Sequence, residues 1–135
     1  MAEKAYELPE WFEVNILDPD IEASFEPNFT ATEFTLASVI GTLFFYRSGT
    51  DPSKKQNQVD AFERGVEIIA TIPPEIHEHP LAGIRGIENL RLAYLDDRLH
   101  KWVPFQYQTL DHEKNQVVVR FNYWLKDPNV GWGFL

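Results

Sequence analysis

The stretch Gln116-Val117-Val118-Val119-Arg120-Phe121-Asn122-Tyr123-Trp124-Leu125 sets the reading of the fold. Val117, Val119, Phe121, Tyr123 and Leu125 share one parity; Val118, Arg120, Asn122 and Trp124 share the other. β-Branched and aromatic residues alternating with polar ones predict a strand with one buried face. Immediately upstream, Val103, Phe105 and Tyr107 alternate with Gln106 and Gln108, and the polar run from Asp111 to Asn115 has the length of a hairpin connection. The two segments predict a C-terminal antiparallel β-hairpin over 102–110 and 116–125. Pro104 has no N–H to give a ladder, which places it at an edge or a bulge.

The elements that cover this hairpin read as helices. Thr30 and Glu33 have the spacing of a capping box. The apolar residues from Phe34 to Tyr46 surround a helical axis, predicting a buried helix over 30–48. Gly41 inside it implies close approach by a neighbour, because Gly costs about 1 kcal/mol relative to Ala in a helix interior. Asp51-Pro52 has the form of an N-cap followed by a first helical residue. Val59, Phe62, Val66 and Ile69 then recur at spacings of three, four and three, predicting a second helix over 52–71 and so a helical hairpin. The Pro- and Gly-rich run 73–86 reads as irregular. Residues 87–101 fit a third helix by spacing, with a strand over 89–95 turning at Asp96-Asp97 as the alternative. Trp11 to Ile16 alternates and suggests a short N-terminal strand over 11–16. The expected class is therefore α+β, in a single domain over 1–135 with an acidic N-terminal arm (1–29) and an aromatic C-terminal tail (126–135).

Composition narrows the function classes. The apolar fraction is 44%, with ten Phe, five Tyr and four Trp, enough for a real core. The absence of Cys excludes disulfides, thiolate metal sites and a Cys nucleophile. No basic start with an apolar run marks a secretory signal, and no apolar stretch reaches the roughly 20 residues that span a bilayer. The reading is a cytoplasmic protein, or one assembled into a complex inside the cell. The net charge is −9. Residues 1–30 hold eight acids and one base, and the remaining 105 hold thirteen acids and eleven bases, so the first segment carries the field. Such a surface repels phosphate backbones and anionic lipid, which argues against nucleic acid and membrane as partners. It suits a basic surface on another protein chain.

Candidate chemical sites fall away on inspection. His77-Glu78-His79 lacks the helical His-x-x-x-His spacing of a zinc site and is followed by Pro80. Asp18, Asp20 and Glu22 resemble the opening of a calcium loop, but Ala23 and Phe29 stand where Gly and an acid belong. Asp96-Asp97 with Arg98 and His100 reads as surface charge. Ser38 and Ser48 lack a nucleophile signature. No cofactor and no metal is expected, and enzymatic activity is not favoured. The expected function is a protein–protein interaction or assembly subunit, as a homo- or hetero-oligomer. Its partner contacts would come from Trp11, Phe12, Asp18, Asp20, Glu22, Trp132 and Phe134. The alternative is a small ligand-binding domain or enzyme, with Phe105, Tyr107, Phe121 and Tyr123 lining an apolar pocket between sheet and helices.

Overall fold

The computed structural model describes residues 11–27, 36–96, 98–99, 101–124 and 129–134. In chain order the strands are β1 (Phe12–Ile16), β2 (Ile21–Pro27), β3 (Leu36–Arg47), β4 (Ala61–Thr71), β5 (Leu90–Asp96), β6 (Lys101–Pro104), β7 (Gln108–Asp111), β8 (Gln116–Tyr123) and β9 (Asn129–Phe134). Two short helices, α1 (Pro74–His77) and α2 (Pro80–Arg85), lie between β4 and β5. The strands form two antiparallel sheets, ordered β1-β4-β8-β7 and β2-β3-β9-β5-β6. The chain crosses between the sheets repeatedly, and one cluster of buried side chains draws on both. At one margin the rings of Phe12 and Phe25 stack at 4.7 Å and join β1 to β2.

The fold is mostly β, which overturns the α+β expectation and its helical hairpin over 30–48 and 52–71. In the first segment, residues 36–47 are β3. It is flanked by β2 and β9, so hydrogen bonds run along both its edges. Leu43 and Phe45 point into the core while Thr42 and Phe44 are half-covered on the other face. Apolar residues on both faces of such a strand imitate a helix that is apolar all round. The close approach at Gly41 is real, but it belongs to the sheet. A Cβ there would run into the Phe25 ring and the carbonyl of Glu26 on the neighbouring strand.

The second segment fails for a different reason. From Val66 onward β4 alternates strictly, with Val66, Ile68 and Ala70 buried and Glu67, Ile69 and Thr71 half-exposed. Before that the register slips: Val66 faces Phe121, but the next partner, Ala61, faces Tyr123. The irregularity contains Gly65 at φ +95°, a conformation in which glycine is strongly preferred. It leaves Arg64 exposed between the buried Phe62 and Val66, so the alternation is interrupted while the interval of four still fits one helical turn. Asp18 satisfies the exposed backbone here, its carboxylate accepting from the N–H groups of Glu63 and Arg64.

The third segment follows its alternative. A 3-10 turn at Ile87–Asn89 leads into β5, and the chain turns after Asp96. The C-terminal hairpin is present but shorter than expected. β7 pairs with β8 from Gln108↔Val119 to Asp111↔Gln116, whereas 101–104 belongs to the other sheet. Parity in β8 follows the sequence through Asn122, with Val117 and Val119 buried and Arg120 and Asn122 exposed, but reverses at its end, where Tyr123 is exposed and Trp124 buried. The N-terminal strand exists as β1, paired to β4. Of the supposed aromatic tail, 129–134 is β9, inserted between β3 and β5.

Candidate functional site

The site arises where two strands of unequal length meet. β6 ends at Pro104, and residues 105–107 carry the chain from one sheet to the other. The Phe105 N–H still donates to the Leu92 carbonyl at 3.1 Å. Gln108 then takes over as a surrogate strand neighbour for β5. Its Oε1 accepts from the Leu92 N–H at 2.8 Å, and its Nε2 donates to the carbonyls of Leu92 and Phe105 at 2.9 and 2.8 Å. The Arg120 N–H donates to the Tyr107 carbonyl at 3.0 Å. Beyond that bond β8 outruns β7, and Phe121 to Trp124 border an open groove.

Aromatic rings floor it. Phe121 and Trp124 stack at 4.6 Å, and Phe105 lies 5.6 Å from Trp124 with the planes only 9° apart. Tyr94 packs 5.1 Å from Phe105, and Phe45 meets Trp124 edge-on from the core side at 5.5 Å. Trp124 is pinned at both ends of its structure. Its backbone N–H donates to Asp60 O at 2.8 Å and its indole Nε1–H to Leu43 O at 2.9 Å. The groove has a volume of about 380 Å³, and Gln106, Tyr107, Arg120, Asn122 and Tyr123 complete its wall. An adjoining cavity of about 460 Å³ shares Gln106, Tyr107 and Arg120 and continues along Gln108, Thr109 and Val118. Tyr107 is 69% exposed and Tyr123 80%. Arg120 is held by Glu67, whose Oε2 lies 2.9 Å from both Nε and Nη2. Asn122 Nδ2 donates to Phe62 O at 3.2 Å, leaving its Oδ1 to accept from another donor.

All four aromatics of the expected pocket, Phe105, Tyr107, Phe121 and Tyr123, line this groove. The correction is to its walls: both border strands, and no helix lines it. Tyr94, Gln106, Arg120, Asn122 and Trp124 are missed by sequence reasoning. The polar parity of β8 was the available signal for two of them, whereas Trp124 sits where the strand has ended and parity no longer applies.

The residues expected to contact partners are placed elsewhere and apart. Trp132 and Phe134 are 1% and 0% exposed, in a central strand, so both belong to this chain's own core. Phe12 is fully buried, and Trp11 packs edge-on to Phe12 and Phe25 at 6.0 and 6.4 Å. Asp18 holds the irregularity of β4. Asp20 occupies a turn at φ 60°, where its carbonyl accepts from the Ser48 N–H at 2.8 Å. Glu22 lies opposite Tyr46 and hydrogen-bonds its phenol. These three carboxylates therefore serve different neighbours. His77 Nε2 lies 2.9 Å from Asn115 Oδ1, while His79 Nδ1 caps α2 by accepting from the Leu81 N–H at 3.1 Å. Asp96 is buried at the turn after β5. Hydrogen bonding to the Arg98 side chain, reinforced by backbone N–H groups, holds its carboxyl below the usual range. Asp97 and His100 lie outside the described residues, as does the arm 1–10. Among the described residues no three His, Asp or Glu side chains gather to hold a metal ion, and no helix is long and apolar enough to cross a membrane. No family model, curated protein or solved structure matches this chain.

Proposed function

We propose that this protein is a non-enzymatic binding module whose recognition site is the aromatic groove beside the end of β7. One observation carries the reading: a floor of mutually stacked, fixed rings is flanked by two tyrosines that project into water. Cavities of about 300–1,000 Å³ lined by aromatics with a few polar groups are the usual form of ligand sites. Among the described residues, the groove's lining contains no carboxylate, imidazole, amine or thiol. Its titratable groups are tyrosine phenols and an arginine already paired with Glu67, a poor set for proton transfer near neutral pH. The ¹⁵N-labelled protein titrated with a library of small aromatic and polar fragments tests the site. Amide shifts concentrated at 106–107 and 120–124 support it; binding confined to other surfaces, or none, overturns it.

A second reading keeps the assembly role, now resting on the acidic segment. Glu13, Asp20 and Glu26 are exposed, within a first thirty residues of net charge −7. Such a field would draw a basic partner chain and weaken as salt rises. Light scattering of the protein from its source at 50 mM and 500 mM salt, expected to show a salt-sensitive complex, checks it; a salt-independent monomer refutes it.

A further inference from the structure

Resting on the groove reading, we infer that the groove takes a neutral oligosaccharide, with Tyr107 and Tyr123 as stacking platforms and Gln106, Asn122 and Arg120 as partners for its hydroxyl groups. Charge is the first argument. Glu67 neutralises Arg120 at 2.9 Å, and the other described lining side chains are uncharged. A phosphate- or sulfate-bearing polymer would also have to approach a chain of net charge −9. A cationic ligand would find no unpaired carboxylate among the described lining residues, since Glu67 is already bound to Arg120. The site therefore complements an uncharged occupant.

Shape is the second argument. The two cavities, about 380 and 460 Å³, adjoin through Gln106, Tyr107 and Arg120. A groove of this extent suits several linked units rather than one compact ring. Chemistry is the third. The C–H face of a pyranose is apolar and its hydrogens carry slight positive charge, which suits the negative face of a phenol ring. A hydroxyl both donates and accepts. An amide side chain also does both, whereas an arginine only donates. Asn122 donates from its Nδ2 to Phe62 O, so its exposed Oδ1 is open to accept from a ligand hydroxyl. A proline-rich peptide could lie on the same rings, but its prolines offer only carbonyl acceptors and leave that oxygen unmatched.

The full chain is titrated, by calorimetry and by amide shifts, with neutral hexasaccharides of glucose, xylose, mannose and N-acetylglucosamine. A decaproline peptide and a heparin hexasaccharide serve as comparisons. At least one neutral hexasaccharide should bind with shifts at 106–107 and 120–124, and should bind more tightly than its monosaccharide. Tyr107→Ala and Tyr123→Ala should each weaken that binding about tenfold. Both rings are exposed, so the melting temperature should stay within about 2 °C of the parent. Asn122→Ala, which removes the Oδ1 acceptor, should weaken binding of the same sugar. If every neutral saccharide fails, or if binding survives both tyrosine substitutions, the saccharide assignment is wrong. Decaproline or small fragments occupying the groove while all sugars fail would overturn the sugar and spare the groove. Silence from sugars, peptide and fragments together would remove both.

Discussion

Phe45 is the fully buried ring beneath the aromatic cluster. It meets Phe62, Phe121 and Trp124 at 4.9, 6.0 and 5.5 Å. Truncating it leaves a cavity that fixed rings cannot fill, so Phe45→Ala should cost about 3–5 kcal/mol in urea melts. A cost like that of the exposed Tyr123→Ala, within about 0.5 kcal/mol of zero, would contradict this packing. Tyr46 gives a pH signature. Burial, helped by the hydrogen bond and charge of Glu22, pushes its phenol up to about 12. The unfolded phenol titrates near 10, so between these values the folded chain holds a proton that the unfolded chain has lost. That stability is fully present below about pH 10 and disappears as the pH rises through about 12. The wild-type protein should lose stability more steeply over this window than Tyr46→Phe; superimposable curves would show that the phenol is not held neutral.

At the scale of elements, two devices hold strands that would otherwise misalign. One is the irregular start of β4, where Gly65 supplies the left-handed backbone and Asp18 supplies two acceptor oxygens. Asp18→Ala should cost about 1 kcal/mol and speed amide exchange at Glu63 and Arg64, because two N–H groups lose charged acceptors. Unchanged exchange there would mean water replaces the carboxylate without loss. The other device is β9. It pairs with β3 on one side and β5 on the other, and buries Val130, Trp132 and Phe134. Removing 129–134 divides the larger sheet and strips its centre. The truncated chain should show no cooperative thermal transition, whereas a tail used only for partners would leave the melting intact. Of the site itself, the aromatic parity of β8 and the alternation through Tyr107 were legible in sequence. The alternative reading puts four of these aromatics around a pocket; that strand ends rather than helices wall it was not legible, since it depends on β7 stopping short of β8 and on Gln108 bonding a strand of the other sheet.

Across the whole molecule, pairings join residues far apart in the chain: Leu36 lies opposite Gly133, and Phe12 opposite Ala70. Loops of that length must close before either sheet is complete, so refolding should take milliseconds to seconds; a submillisecond phase carrying the full amplitude would contradict this topology. The same long-range pairing divides what was legible from what was not. By itself the sequence determined the strand β8, its hairpin with β7, the strand β1 and the uneven charge, because these rest on period-two alternation, local turns and residue counts. Only the tertiary structure decided that 36–47 and 61–71 are strands. Their apolar residues match a helical spacing as well as a sheet buried on one face and half-covered on the other, and the exposed Arg64, beside Gly65, interrupts the alternation of 61–71 between Phe62 and Val66. The position of 129–134 was likewise settled by distant neighbours. Val130, Trp132 and Phe134 do alternate with Asn129, Gly131 and Gly133, but two glycines in a run of six weaken its own strand preference, and it becomes a central strand because β3 and β5 give both its edges a hydrogen-bonding partner.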